Sequence, residues 1–303
     1  MRRILKLNDV GWKLPRLWDA ATILDMKKGV LLFSKKEDQE AGKLGKELKQ
    51  QLEAQGCSVE DFSGTDHLIE AKKLKQFSVG VVVGGDGTFL TLVKRMEKKE
   101  EVPLMGINLG TVGFITEFSR EGVLQSVLDA LEGKLPVEER PLLRVELKRQ
   151  GKVVENGIVF NDVVVNKDTR TSLSVMDVMV DGQFLSHVRA DGYIVATATG
   201  STGYALSAGG PLLHPMVPAN VLVPICPHSL SARPIVLPYE QRVVIRVHRF
   251  GGTAYLVCDG QINLQMEEGD EVHIEHCRDT HLKIFRSPLQ GWSDALKAKL
   301  QMG

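Results

Sequence analysis

Between Gly29 and Arg120, apolar runs of strand length alternate with stretches that carry apolar residues at helical spacing. GVLLFSK, starting at Gly29, is a short apolar run. DQEAGKLGKELKQQLEAQG follows, with Ala41, Leu44, Leu48 and Leu52 on one helical face and a stop at Gly56. CSVEDF is a second strand candidate. FSVGVVV is an apolar run too short for a helix, as expected of a parallel strand buried on both faces. FLTLVKRMEKK predicts a helix over 89–99, PLMGINLG a strand and turn, and REGVLQSVLDALEG a helix with Val123, Val127, Leu128 and Leu131 inward. This alternation predicts an open, mostly parallel, Rossmann-like α/β sheet.

After Lys134 the pattern changes to short, Val-rich runs separated by turn signals. PLLRVELKRQGKVVENGIVFNDVVVN, SVMDVMVDGQFLSHV, YIVATA, VLVPIC, RVVIRVH, AYLVCDGQINLQM and EVHIEHC read as strands, and Asp181-Gly182 is a two-residue hairpin signal. An antiparallel, sandwich-like β unit is expected. The last stretch, SDALKAKLQ, is helical in pattern, with Asp294 as its expected cap and Leu296 and Leu300 four apart. A helix appended to a β unit needs an apolar surface, so it is expected to return to the first unit. The expected boundaries are an extension over 1–20, an α/β unit over 21–134, a β unit over 135–285 and a tail over 286–303.

Composition narrows the function classes. Lys plus Arg equals Asp plus Glu at 38 each, so the chain lacks the basic excess of a nucleic-acid binder, and no dense basic run occurs. No apolar stretch approaches the roughly 18 residues that span a bilayer. Four cysteines, Cys57, Cys226, Cys258 and Cys277, lie far apart without metal-ligand spacing, which predicts reduced thiols and a cytoplasmic protein. No residue is assigned as a metal ligand.

The candidate chemistry begins at VVVGGDGTFLTL. Gly84, Gly85, Gly87 and Thr88 form a turn between a buried strand and a helix, where open α/β sheets bind ligands. Glycines let backbone amides converge on an anion, and a helix N-terminus adds unsatisfied N–H groups, so phosphate is the natural guest. A strand-ending turn without a ligand is the alternative. The dinucleotide fingerprint is ruled out because Leu90 stands where its third glycine belongs, and no Gly-Lys-Ser/Thr triplet or protein-kinase element occurs. Asp86 lies among the glycines. A carboxylate there either takes a proton from an attacking hydroxyl, helps bind Mg²⁺, or ties up the turn's own amides.

A second unusual stretch, RADGYIVATATGSTGYALSAGGPLLHP, covers residues 189 to 215. Arg189 and Asp191 open it, and Thr199-Gly200-Ser201-Thr202-Gly203-Tyr204 breaks its strand. YALSA predicts a short helix capped by Ser201 or Thr202. Neither Ser201 nor Ser207 sits in the G-x-S-x-G elbow of serine hydrolases. Asn161-Asp162 opens NDVVVN and could read a base edge and ribose hydroxyls or cap a strand. Asp259-Gly260-Gln261 is most simply a hairpin turn.

GGDGT, GINLGTVGF at 106–114, the Asn161-Asp162 pair and above all TGSTGYALSAGGP resemble the NAD kinase family, in order, over roughly residues 77 to 261. GGDGT alone is shared with diacylglycerol and sphingosine kinases; the longer segment is far more specific. The resemblance implies transfer of the γ-phosphoryl of ATP, or of polyphosphate, to the 2′-hydroxyl of the adenosine ribose of NAD. It implies Asp86 as general base and a divalent cation, Mg²⁺, as cofactor. Asp86 itself, Gly87, Asn161, Asp162, Ser172, Arg189, Asp191, Thr202, Gly203, Tyr204, Ala205, Leu206, Ser207 and Gln261 fall on dinucleotide-contacting positions. It also implies a homodimer or homotetramer, with a neighbouring subunit completing the pocket. Gly203 stands where alanine is usual and Ala198 where proline is frequent. A lipid kinase built on the same turn, or a dinucleotide sensor without catalysis, are the competing readings. The first has no reason for TGSTGYALS, and an intact Asp86 argues against the second.

Overall fold

The computed structural model describes residues 29–300 apart from 36, 111–112, 168–171 and 252, and leaves the side chains of Ser172 and Ile262 undescribed. The extension expected over 1–20 lies outside the described residues. The chain divides into two compact units, Met1–Glu139 with Lys283–Gly303, and Arg140–Leu282.

The first unit contains the strand–helix alternation. β1 (Gly29–Ser34), β2 (Ser58–Asp61), β3 (Val79–Val83), β4 (Leu104–Asn108) and the two-residue β5 (Phe118–Ser119) pair in parallel, in the order β5-β4-β3-β1-β2. β1, β3 and β4 are buried along their whole length, so their apolar runs serve both faces of the sheet. Helix α1 (Gln39–Ala54) starts at Asp38, whose carboxylate accepts from the amides of Glu40 and Ala41. It buries Ala41, Leu44, Leu48 and Leu52, the face expected from their spacing. The short α2 (Ala71–Leu74) precedes β3. Helix α3 (Asp86–Arg95) buries Phe89, Leu92 and Val93, and α4 (Val123–Leu131) buries Val123, Val127 and Leu131. α3 thus begins three residues earlier and stops four earlier than the pattern over 89–99 suggests. The glycine turn itself supplies its first residues, and Met96 turns to extended backbone.

In the second unit, β6 (Val137–Arg149), which begins just before it, forms a hairpin with β7 (Lys152–Val159). There follow β8 (Asp162–Lys167), β9 (Ser172–Val180), β10 (Gln183–Ala190), β11 (Gly192–Thr197), β12 (Ala219–Ile225), β13 (Ile235–Pro238), β14 (Val243–Gly251), β15 (Ala254–Cys258), β16 (Ile262–Met266) and β17 (Glu271–Phe285). One antiparallel sheet runs β10-β9-β14-β17 and the other β13-β12-β11-β8-β15-β16. Met176, Val178, Val243, Ile245 and Val247 of the first pack with Val163, Val165, Val195 and Leu256 of the second in one core, which makes a two-sheet sandwich. Asp181 and Gly182 turn between β9 and β10 with φ of 49° and 77°, the hairpin their pairing predicts.

The end of β17 belongs to the first unit, where Ile284 pairs in parallel with Leu104 of β4. α5 (Tyr204–Ser207) is a single turn in the second unit, and α6 (Trp292–Leu300) lies in the first. α6 buries Ala295, with Leu296 and Leu300 half-buried beside it. Asp294 does not precede this helix as a cap. It sits in the first turn and accepts from the amide of Gly291.

Candidate active site

Gly84 leaves β3 with φ of 147° and donates its amide to the Ile107 carbonyl at 2.9 Å. A side chain there would be strained and would meet Thr88 Oγ1 at 2.6 Å, so the turn itself demands glycine. Gly85 and Gly87 differ. Among the described residues a methyl at either would find no atom within 4 Å, so their packing does not require the lack of a side chain. Gly85 begins α3 without any side-chain cap, and Thr88 is buried in the first turn.

Asp86 is the first residue of α3, and its carboxylate is held from another part of the unit. Oδ1 accepts from the amides of Ile115 (3.3 Å) and Thr116 (3.2 Å) and from Thr116 Oγ1 (3.0 Å); Oδ2 accepts from the Phe114 amide (3.0 Å). The donors are not those of its own turn, as the alternative reading had it, but of a loop 28–30 residues further on. Lys299 of α6 brings Nζ to 3.9 Å from Oδ2 and to 5.4 Å from the centre of the Phe114 ring. Oδ2 therefore carries one of these four hydrogen bonds and Oδ1 three. A methyl at Gly113 would overlap both Asp86 Oδ1 and Thr116 Oγ1, so the loop approaches this closely only with glycine there.

The loop is fixed in turn by its next residue. Glu117 is buried, and its Oε2 accepts from Arg286 Nε at 2.7 Å. Arg286 Nη1 donates to Oε2 of buried Glu138 at 2.6 Å. One guanidinium thus neutralises two buried carboxylates, and one of these adjoins the residues that grip Asp86.

In the second unit Asn161 immediately precedes β8 and Asp162 opens it, and both are held by a carboxylate of the Asp259-Gly260-Gln261 turn. Asp259 sits in the β15–β16 hairpin at φ of 50° and accepts from the amides of Phe160, Asn161 and Asp162 at 2.9, 2.6 and 3.2 Å. Asp162 is buried, and burial, followed by the Asp259 charge, pushes its carboxyl up to about 7. Asn161 Oδ1 is buried and accepts no hydrogen bond from the described residues. Such an acceptor costs about 1–3 kcal/mol unless something satisfies it.

The 197–207 segment packs against this pair. Thr197 Oγ1 donates to the Phe160 carbonyl at 2.8 Å, and Arg140 Nη1 donates to Thr199 Oγ1 at 3.2 Å. Neither Ser201 nor Thr202 caps α5, contrary to expectation. Ser201 Oγ donates to the Ala198 carbonyl and accepts from the Leu213 amide, and Thr202 Oγ1 donates to the Thr199 carbonyl. Their hydroxyls brace the loop, and Gly203 begins the helix with no side-chain cap. Gly203 also lies beside Asp162, since a Cβ there would stand 3.7 Å from Oδ2. Tyr204 is 42% exposed, its phenol raised by burial and then by Cys226, Asp162 and Asp191, all close by. Ala205 is buried, Leu206 half-buried and Ser207 exposed.

The other expected positions are spread along the same unit. Asp191 pairs with Lys167 at 2.9 Å, and Gln261 follows Asp259 in its hairpin. Arg189 is exposed on β10, and Ser172 enters β9 opposite Gly251. A concavity of about 890 Å³ in this unit, lined by Arg144, Arg242, His273, His276 and their acidic neighbours, includes none of the candidate residues. Two of its arginines are engaged, Arg242 with Glu275 and Arg144 with Asp279. Sequence reading missed Thr116, Arg140, Asp259, Arg286 and Lys299. Only Asp259 carried a local signal, its place in a tight turn.

The chain thus carries a parallel α/β unit with a carboxylate in its glycine turn and an antiparallel unit in which half-buried Asn161 precedes buried Asp162. Residues 29–134 match the family model of the ATP-NAD kinase N-terminal domain, and residues 160–286 that of the ATP-NAD kinase C-terminal domain. The chain is 35% identical over 284 residues to an NAD kinase of Geotalea daltonii, covering 91% of this chain and 99% of the relative. It is 38% identical over 233 residues to an NAD kinase of Nitrosomonas europaea, covering 74% and 78%. Among solved structures, an NAD kinase from Archaeoglobus fulgidus in complex with ATP aligns with a TM-score of 0.69 at 29% identity, covering 86% of this chain and 94% of that one. Yeast NADH kinase complexed with NADH shares the fold, with a TM-score of 0.80 at 24% identity, covering 91% and 88%. The chain belongs to the NAD kinase family.

Proposed function

We propose that this chain transfers the γ-phosphoryl group of ATP to the 2′-hydroxyl of the adenosine ribose of NAD, giving NADP and ADP. The observation that carries the reading is the Asp86 carboxylate, fixed by four hydrogen bonds from residues 114–116 beside a glycine turn with no side chain at Gly85 and Gly87. A hydroxyl donating to Asp86 Oδ2 gives up its proton there while its oxygen bonds to the γ-phosphorus, and the bond from that phosphorus to the bridging oxygen breaks to release ADP. General-base assistance of this kind contributes about 10²–10⁴ in rate, and a carboxylate held by four donors spends little on being oriented.

Asn161 and Asp162 are assigned to adenine and ribose. The orphaned Asn161 Oδ1 is an acceptor for an exocyclic amine, and an Asp162 carboxyl that titrates near 7 can donate as well as accept. Residues 202–207 are assigned to the loop that wraps the dinucleotide, with Ser172, Arg189, Asp191 and Gln261 as further contacts. The donor set near the turn fits a cation that arrives on the polyphosphate. It offers one carboxylate, Asp86, whereas a resident site needs a cage of several, and Mg²⁺ is commonly held by one or two carboxylates plus substrate phosphates. Such an ion would neutralise charge on the phosphate oxygens. The reading includes a homodimer or homotetramer and a cytoplasmic location. No described helix is long and apolar enough to cross a membrane.

The test is formation of NADP from NAD, ATP and Mg²⁺ by the full chain, with NADH and diacylglycerol as parallel acceptors. NADP is expected, and no product from the lipid. Asp86→Asn is expected to keep NAD affinity within a few-fold and to lower turnover by about 10² or more. Near-normal turnover of that variant overturns the base assignment. Binding of NAD without any NADP under any donor overturns the enzymatic reading in favour of a sensor.

A further inference from the structure

Three strands of the second unit bring Asp177, His187 and His248 together on one outward face. His187 of β10 is the cross-strand partner of Asp177 in β9, with Nδ1 at 2.7 Å from Oδ1. His248 of β14 reaches the other oxygen, with Nε2 at 2.7 Å from Oδ2. Regular pairing would not place it there. The register between β14 and β9 shifts between Val247 and Arg249, and this bulge turns His248 outward beside Asp177. One ligand atom from each of the three residues lies within 4.8 Å of the other two.

Among the described residues, the ion-pair partners of Asp177 are the two imidazoles. Arg246 is its register partner across the β14 strand, yet Arg246 Nε donates to Glu271 Oε1 at 2.7 Å instead. His273 Nε2 also lies on Glu271, at 2.9 Å from Oε2. One rung along, Arg189 and Arg249 flank Val175 on the same exposed face.

We propose that Asp177, His187 and His248, side chains to which the phosphotransfer reading gives no role, bind a divalent transition-metal ion of the Zn²⁺ type. Two imidazoles and one carboxylate form a mixed nitrogen–oxygen set with an open fourth position, the donor chemistry of three-ligand zinc sites. Metal–ligand bonds of about 2.0–2.2 Å put tetrahedral ligand atoms about 3.3 Å apart. The three donors reach that spacing by small rotations of exposed side chains. On binding, the hydrogen bonds to Asp177 open. Any ring proton now shared with it moves to the far nitrogen of that imidazole, and the freed lone pairs go to the metal. The fourth position faces a surface with Arg189 and Arg249 nearby, which suits water or a small anion. The bound ion ties the edge strand β10 and the bulge of β14 to β9.

The test uses tag-free full-length protein stripped of metal by a chelator, titrated with Zn²⁺ against a chromophoric competitor, with bound metal counted after dialysis. One Zn²⁺ per chain is expected. Asp177→Asn, His187→Gln and His248→Gln should each weaken it by about tenfold or more. Arg246→Gln, a neighbour outside the donor set, should stay within about threefold of the parent. Co²⁺ in place of Zn²⁺ should give the visible absorption of a tetrahedral site in the parent and lose it in the three variants. Far-UV circular dichroism on the metal-free variants verifies that they fold, since all three side chains are exposed enough to be replaced. Zinc bound equally by parent and variants, or no zinc retained by the parent at about 10 µM free metal, overturns the site.

Discussion

Two glycines near Asp86 separate what the fold needs from what a ligand needs. Gly113→Ala would push a methyl into Asp86 Oδ1 and Thr116 Oγ1. It should cost about 1–3 kcal/mol in stability and depress turnover together with it, read by thermal melts and the NADP assay. Gly87→Ala meets no atom of the described residues within 4 Å and sits in the first turn of α3, where alanine is the better helix former by about 1 kcal/mol. Its melting temperature should hold or rise while substrate affinity falls; unchanged affinity would remove Gly87 from the binding surface. Asp162 gives a pH signature. Its folded value of about 7 lies above an unfolded aspartate at about 3.9, so between the two the folded chain holds a proton that the unfolded chain has released. Stability therefore falls as pH rises across that window, and the cost is complete above about 7. Asp162→Asn should gain about 2–3 kcal/mol on the parent between about pH 5 and pH 8 in urea melts. A constant difference across that range would show Asp162 ionised throughout.

At the scale of elements, the hydrophobic pattern was enough to place α1 and the buried strands β1, β3 and β4, because burial on one or both faces leaves its period in the chain. The glycine turn and the Asn161-Asp162 pair were legible for a different reason: they are short motifs whose chemistry lies in adjacent residues. What grips Asp86 was not legible, since Phe114, Ile115 and Thr116 look like an ordinary apolar stretch and meet the carboxylate only through the fold. The hydroxyls of Ser201 and Thr202 were misjudged for a related reason. A local rule assigns them to the next helix, whereas Ala198, Leu213 and Thr199 compete for them and win. Asp177, His187 and His248 are scattered over 71 residues and need a bulge to meet. The element-scale prediction concerns Arg286. Arg286→Met strands Glu117 and Glu138 as buried carboxylates without their shared cation, at a cost of about 3–5 kcal/mol in denaturant unfolding at neutral pH. A loss below about 1 kcal/mol would mean that water reaches both acids.

On the scale of the whole molecule, the second unit is one contiguous stretch, Arg140–Leu282, while the first is assembled from two pieces. The later piece supplies Ile284 beside β4, Arg286 for Glu117 and Glu138, and Lys299 beside Asp86. This division has a meaning in time. Glu138 and Arg286 are 148 residues apart, so at about 5–20 residues per second a ribosome needs roughly 7–30 s to deliver the cation after the acid. Until then the loop that orients Asp86 lacks its anchor. A nascent chain that ends at Phe285 carries every motif of the glycine turn but not yet the guanidinium that Glu117 and Glu138 share.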